Sequence, residues 1–169
     1  LGCYVAGAIS LVFAGVMFFL PVPLMGMLTD NQDLVPLAAS YARIVGFSYI
    51  LNSITGVYVG AHRSMENPKL GMVIFAISML TNTFLNWVFI YGNLGAPALG
   101  VEGAALATLL SRTAEFVIMV TYALTNARFR LKPALLLRPG SALLQKFVRY
   151  SGPVVLNETL WGLGNSLYK

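Results

Sequence analysis

Apolar runs long enough to cross a membrane dominate this chain and restrict the folds open to it. A helix rises 1.5 Å per residue, so about 20 apolar residues cross a hydrocarbon core. Four runs reach that length, at about residues 3–28, 34–61, 70–91 and 101–124, and a fifth begins near Phe147. Pro21 and Pro23 break the first run late. We therefore predict an all-α fold, a polytopic transmembrane helical bundle with four complete spans and the start of a fifth.

Composition points to the same class. Hydrophobic residues make up 57% of the chain and charged residues only 10%, against about 25% charged residues in an average soluble domain. The net charge of +5 would suit nucleic acid, but the basic residues form no stripe with interleaved aromatics. They lie in the loops between apolar runs, which is typical of membrane topology. The lipid bilayer is therefore a predicted partner and nucleic acid is not.

The connections between runs are short, at residues 29–33, 62–69 and 92–100. Helices joined by such loops are predicted to be antiparallel neighbours in an up-and-down bundle. The middle connection carries Arg63 and Lys69, whereas the other two have no basic residue. Basic residues return after the fourth run, as Arg128, Arg130, Lys132, Arg138, Lys146 and Arg149. The positive-inside rule then places residues 62–69 and 127–149 in the cytoplasm.

Residues 127–146 differ in composition from the runs on either side. Pro133, Pro139 and Gly140 punctuate this long, basic connection, which makes it the best boundary between two helical groups. The chain starts at Leu1 without a signal peptide pattern. It ends soon after the fifth apolar run begins. We expect it to be a central part of a longer membrane protein.

Two amides lie inside the third apolar run. Asn82 and Asn86 are four residues apart, so they share one face of a helix. Polar groups in a span are costly unless they find partners. The pair either points into a cavity or makes hydrogen bonds to another helix, which contribute about 0.6 kcal/mol each.

The fourth run opens with small residues and carries two opposite charges. The segment from Gly103 to Thr108 is predicted to let another backbone approach closely, and Thr108 could add a hydroxyl ligand. Arg112 and Glu115 stand three residues apart near the middle of the run. Such a pair can neutralise itself. It either lines a cavity or only satisfies its own charges.

Glu158 is the acidic residue of the fifth apolar run, five residues after Pro153. A carboxyl desolvated in a span suits a proton carrier. The alternative is a carboxylate that stays solvated near the cytoplasmic end, since Glu158 lies only nine residues past Arg149.

Soluble enzyme chemistry is not indicated. The sequence has no Gly-rich phosphate loop, no cluster of His and Cys, and no nucleophile triad. His62, the sole histidine, is predicted to be a solvated turn residue. We therefore predict a protein that is not an enzyme, with no metal site and no cofactor.

Three passages together resemble the multidrug and toxic compound extrusion (MATE) transporters. The first passes from Arg63 into NTFLNWVFIYG at residues 82–92. The second, the most specific, is GAPALGVEGAALAT at residues 95–108, with Arg112 close behind. The third is Gly152-Pro153 followed by NETLWGLG at residues 157–164. Their order and spacing agree with the family along essentially the whole chain.

The resemblance implies a transporter of two six-helix lobes, twelve helices in all. Residues 1–126 would supply the third to sixth helices of the first lobe, residues 127–146 the cytoplasmic connection, and residues 147–169 the start of the second lobe. Members of the family reside in the plasma membrane of bacteria. They exchange organic cations or other small amphipathic, drug-like compounds for inward-moving Na⁺ or H⁺. The full-length protein is expected to be a monomer whose only cofactor-like requirement is this coupling ion.

The resemblance also assigns roles to residues. Glu158 looks like the acidic position of the seventh helix implicated in cation coupling and substrate binding. Asn82 and Asn86 look like the polar pair of the fifth helix that contributes to the first-lobe cation site. Several members carry an aspartate where this chain has Asn86, and an amide can coordinate Na⁺ through its oxygen but cannot carry a proton. The full set of predicted cation-coupling or substrate-binding residues is Glu158, Asn82, Asn86, Thr108, Arg112 and Glu115.

Two other functions remain open at this point. A flippase of the same superfamily would move lipid-linked saccharides or peptidoglycan precursors. Its cavity would need several cationic residues. Among the polar residues discussed inside the apolar runs, Arg112 is the one basic candidate. The other alternative is a non-transporting scaffold or a truncated fragment without activity.

Overall fold

The computed structural model of the chain describes residues 2–29, 31–65, 68–125, 149, 151–153, 155–157, 159–162 and 164. These residues belong to two compact units, Gly2–Arg130 and a second one within residues 131–169. In the second unit the described residues are helical. Glu158 and the predicted connection at residues 127–146 lie outside the described residues, and the predicted domain division stays a prediction.

The described residues of the first unit form five α-helices and one short 3₁₀ turn. They are α1 (Gly2–Phe19), α2 (Pro21–Leu28), α3 (Leu34–Ser64), α4 (Lys69–Tyr91), the 3₁₀ turn Asn93–Gly95, and α5 (Val101–Thr125). The helices α1, α3, α4 and α5 are long and apolar enough to cross a membrane. No strand occurs within the described ranges. The predicted all-α, polytopic fold is confirmed.

The break predicted in the first apolar run is also present. Helix α1 ends at Phe19, Leu20 forms a bend, and Pro21 opens α2. Proline suits the first position of a helix because its missing N–H would have no partner there, whereas inside a helix its ring clashes with the preceding turn. The run therefore folds as two helices.

A tight turn joins α4 to α5. Gly92 ends α4 in the left-handed region, with φ of 73°, and donates its N–H to Val88 O. Leu99 N–H then donates to Phe89 O at 2.9 Å, which brings the chain back alongside α4. A Cβ on Gly103 would lie 2.5 Å from Phe89 O. The two helices are therefore antiparallel and touch through backbone, as the small-residue run predicts.

The order of the helices in space differs from their order along the chain. Helix α3 packs closely on α1 and on α5, and α5 packs closely on α4, whereas α3 and α4 make few contacts. The spatial order of the spans is thus α1, α3, α5, α4. The prediction that consecutive spans would be neighbours holds for α1 with α3 and for α4 with α5, whereas α3 and α4 touch only over a short part of their length.

The sequence of α5 explains this order. Six of its seven buried residues recur at four-residue spacing and are mostly small, as Gly103, Ala107, Ser111, Glu115, Met119 and Ala123. Small side chains let neighbouring helices approach closely. Both α3 and α4 therefore pack more closely on α5 than on each other, and their mutual contact lies near the loop that joins them, as at Val59 and Gly71.

His62 corrects a second prediction. Helix α3 continues to Ser64, so His62 lies in its last turn and is only 2% exposed, not solvated. Its Nδ1 is 3.2 Å from Tyr58 O. Its ring packs against the rings of Tyr58 and Tyr122, with centroids 4.4 and 5.9 Å away. The longer helix turns the histidine towards α5 and makes it part of the packed end of the bundle.

Candidate cation and substrate site

The two amides of α4 begin a chain of hydrogen bonds that crosses to α5. Asn86 Nδ2 donates to Asn82 Oδ1 at 3.0 Å. Asn82 Nδ2 donates to Ser111 Oγ at 3.3 Å, and Ser111 Oγ donates to Thr108 O at 2.9 Å. This arrangement places Asn82, Asn86, Thr108 and Ser111 at one interface inside two spans.

This chain of hydrogen bonds ends at Asn86. Its Oδ1 is buried and has no hydrogen-bond partner among the residues that the structure describes. A buried carbonyl oxygen without a partner costs about 1–3 kcal/mol. An oxygen in this position is therefore available to a ligand.

A cleft of about 430 Å³ opens beside this chain. It is lined by Phe75, Ser78, Met79, Asn82, Thr108, Ser111 and Arg112. Its volume falls within the range of pockets that bind small molecules. Phe75 and Met79 give the cleft an apolar wall, and the remaining side chains are polar or charged. The amides were predicted either to point into a cavity or to bond to another helix. Asn82 does both, because it lines the cleft and donates a hydrogen bond to α5.

Thr108 has a limited role in the cleft. Its Oγ1 donates to Ala104 O at 2.9 Å, so its proton is already used within α5. The lone pairs of the same oxygen can still accept a hydrogen bond or a cation. The hydroxyl ligand predicted from the sequence thus lies in the wall of the cleft.

Arg112 and Glu115 form an ion pair at the inner side of the cleft. Arg112 Nη1 lies 2.6 Å from Glu115 Oε2. The Arg112 side chain is 35% exposed and lines the cleft, whereas the Glu115 side chain is 1% exposed. Glu115 Oε1 has no hydrogen-bond partner within the described part of the chain. The pair therefore neutralises itself, and only its cation faces the cleft.

Two serines of the site were not predicted. Ser111 connects the amides to α5, and Ser78 lines the cleft. A signal for both exists in the sequence, because Ser78, Asn82 and Asn86 are spaced by four residues, as are Ser111 and Glu115. That spacing places each set on one helix face.

The chemistry of this donor set suits a monovalent cation and a small amphipathic molecule. The open oxygen of the amide chain is the neutral carbonyl oxygen of Asn86, and carbonyl oxygens are the type that replaces the hydration shell of alkali ions inside membranes. The apolar wall and the arginine border the same cleft. Glu158, the remaining predicted site residue, lies outside the described residues, so the structure does not place it here.

Comparison with known proteins gives the family. The MatE family model matches residues 1–88, just over half of the chain. An uncharacterized transporter of Bacillus subtilis, YisQ, is 30% identical over 127 residues, which cover 75% of this chain and 28% of that protein. The probable multidrug resistance protein NorM of Thermotoga maritima is 24% identical over 158 residues, 90% of this chain and 34% of that protein.

One shorter match has a higher sequence identity. The probable multidrug resistance protein NorM of Mesorhizobium japonicum is 39% identical over 67 residues, 40% of this chain and 14% of that protein. No solved structure matches the chain. The matches thus span about a third or less of the length of these relatives. The four membrane-crossing helices and the family match together confirm the prediction made from the sequence: this chain is part of a multi-pass protein of the bacterial cell membrane and belongs to the MatE family.

Proposed function

We propose that the protein containing this chain is a secondary active transporter that exports small cationic or amphipathic, drug-like compounds in exchange for Na⁺. The observation that carries this proposal is the open Oδ1 of Asn86, buried at the end of a hydrogen-bonded chain that leads into a cleft of small-molecule size. Family membership and the multidrug resistance names of several relatives support it.

The amide chain gives a physical route between ion and substrate. A cation on Asn86 Oδ1 polarises that amide, which strengthens the hydrogen bond from its Nδ2 to Asn82. Asn82 in turn holds Ser111 and lines the cleft. Ion binding therefore changes the hydrogen-bonding groups that a substrate meets. This linkage is the differential interaction that ion–substrate exchange needs.

Sodium suits the amide chain better than a proton. Amides do not titrate in the physiological range, whereas their oxygens ligate cations directly. The acidic groups able to carry a proton are carboxyls such as Glu115 and, by the family resemblance, Glu158. We propose that Glu158 serves cation coupling and substrate binding in the second lobe.

The flippase alternative receives little support from the cleft. A lipid-linked pyrophosphate carries several negative charges and needs several cationic partners. Of the seven described residues lining the cleft, Arg112 alone is basic, and it is paired with Glu115. A non-transporting scaffold has no use for a cleft flanked by open buried oxygens, because each such oxygen costs stability.

The test is ethidium export by the full-length protein in proteoliposomes, with and without an inward Na⁺ gradient at fixed pH. We expect the gradient to accelerate export. Glu158→Gln should abolish ion-driven export while the protein accumulates normally, because the amide cannot reproduce the charge of the carboxylate. Equal rates with and without Na⁺ would overturn sodium coupling, and unchanged export in Glu158→Gln would remove this residue from the mechanism.

A further inference from the structure

A second groove lies between α3 and α4, next to the loop that joins them. Its volume is about 300 Å³. It is lined by Val59, Arg63, Pro68, Gly71, Met72 and Phe75. The two helices meet here through Gly71, where a Cβ would lie 2.7 Å from Val59 Cγ1. Elsewhere they make few contacts, because both pack on α5. This α3–α4 groove is therefore confined to the loop end of the two helices.

The wall that α4 gives to the groove is apolar and open. Met72 is 70% exposed and Phe75 is 46% exposed. Within a membrane, such side chains contact either the acyl chains of lipids or another helix. The apolar wall alone suits both occupants, so the charge at the groove has to distinguish them.

The loop end of the groove is positively charged. Arg63 is exposed, and its guanidinium makes no salt bridge or hydrogen bond within the described part of the chain. Lys69, also exposed, begins α4, whose N-terminus adds the positive end of the helix dipole. The connection at residues 62–69 has a single acidic residue, Glu66, which lies outside the described residues. Two cations against one carboxylate make this end attractive to an anion.

The predicted topology places this charge beside anionic lipids. The positive-inside rule predicts that residues 62–69 face the cytoplasm, and the cytoplasmic leaflet carries anionic headgroups. Basic pockets between membrane helices on that side bind such headgroups, and a guanidinium donates two parallel hydrogen bonds to a phosphate. By contrast, a groove of about 260 Å³ nearer the start of α3 is lined only by apolar residues and tyrosines.

We propose that the α3–α4 groove binds an anionic phospholipid of the cytoplasmic leaflet, with its phosphate at Arg63 and Lys69 and one acyl chain on Met72 and Phe75. The site does not depend on the proposed transport function. Phe75 also lines the cleft between α4 and α5, so the bound acyl chain would contact a side chain that the cleft shares.

Photolabelling of the full-length protein in phosphatidylcholine vesicles tests the proposal. The probe is phosphatidylglycerol with a diazirine in one acyl chain, and the control is phosphatidylcholine with the same chain. Peptide mass spectrometry identifies the labelled residues. We expect phosphatidylglycerol to label Met72 and Phe75 at least about fivefold more than phosphatidylcholine, because one Lys or Arg beside anionic lipid contributes about a factor of five. Both lipids should label Met17 and Met25, in the uncharged groove, equally.

Salt and two variants test the role of charge. Added KCl should lower the preference for phosphatidylglycerol, because salt screens exposed charges. Arg63→Gln should reduce labelling of Met72 by phosphatidylglycerol about fivefold. The matched control is Arg43→Gln, since Arg43 is also exposed and lies on α3 nearer its start. It should leave this labelling unchanged.

Several results would overturn the proposal. Equal labelling of Met72 and Phe75 by the two lipids is one, and an unchanged preference in Arg63→Gln or at high salt is another. Labelling of these residues by neither lipid would show that another part of the protein covers the groove, which also contradicts the proposal. The comparison of the two lipids and the salt series use the unaltered protein, so they decide the question even where a variant fails to insert.

Discussion

Two pairs of helices in the first unit differ in how they satisfy the polar side chains that lie between them. The α1–α3 and α4–α5 pairs are both antiparallel, both place polar side chains between apolar helices, and both border a cleft. Between α1 and α3, Ser53 Oγ donates to Ser10 Oγ, which donates to Gly7 O, both at 3.0 Å. Between α4 and α5 the chain of amides stops at an open oxygen on Asn86.

The difference shows that cleft size alone does not indicate function here. The α1–α3 cleft is larger, about 520 Å³ against 430 Å³, but the serine hydroxyls that line it donate within their own helix pair. Natural proteins leave few buried polar atoms without partners, and each such atom calls for an explanation, of which a bound ion is one. Within the described residues the α4–α5 pair has such atoms at Asn86 and Glu115, and α3 has one at Tyr58, where it packs on α5 rather than on α1.

The largest expected difference between the pairs is in ion coupling. In full-length protein, replacing Asn82 and Asn86 together by Leu should reduce Na⁺-driven ethidium export at least about tenfold, because the cation loses its oxygen ligands. The matched variant, Ser10→Ala with Ser53→Ala, should change export by about twofold or less, in keeping with the small energy of a hydrogen bond within the membrane. Export rates are compared in proteoliposomes at equal protein content.

Two results would break this contrast. If the Leu variant fails to insert or accumulate, the amides serve packing and not coupling. If both double variants lose export equally, the polar residues of the two pairs do not differ in function.

A second difference concerns how closely the backbones approach. Gly103→Ala places a Cβ 2.5 Å from the backbone oxygen of Phe89. This oxygen belongs to the backbone of α4, so it cannot shift without moving the helix. Gly46→Ala meets the Met17 side chain at 3.2 Å, where a small shift suffices. We expect Gly103→Ala to destabilise the protein by about 1–3 kcal/mol and Gly46→Ala by less. Thermal unfolding of the full-length variants in detergent measures this, and equal losses would show that the pairs pack alike.

The smallest difference is expected for single hydroxyls. Ser111→Ala leaves Asn82 Nδ2 without its acceptor, at a cost of about 1–3 kcal/mol. Ser53→Ala orphans no donor, because Ser10 still donates to Gly7 O, and should cost about 0.6 kcal/mol. Chemical denaturation in mixed micelles resolves the order, and a reversed order would contradict the assigned hydrogen bonds.

Much of the fold could be predicted because hydropathy acts locally. Span lengths and the break at Pro21 depend on residues close together in sequence. The packing of α3 on α5 could not be predicted in this way. It depends on the row of small buried residues on α5, which lets α3 pack closely there, whereas the short loop between α3 and α4 favours packing of those two helices. The burial of His62 has the same origin, since α5 supplies the Tyr122 ring beside it.

The site was predicted in part for a similar reason. The spacing of Asn82 and Asn86 fixes a shared face within one helix. Their partner Ser111 lies across the interface, and its register depends on the close approach that Gly103 allows at the other end of the pair. The sequence pattern of a single helix therefore does not predict which residue of α5 lies opposite Asn82.

Binding of ²²Na⁺ to the purified full-length protein at fixed pH tests the central claim most directly. The account predicts that Asn86→Leu weakens Na⁺ binding at least about tenfold, because the open oxygen is lost, while Ser53→Ala leaves it within about twofold of the unaltered protein. Unchanged Na⁺ binding in Asn86→Leu would contradict the account.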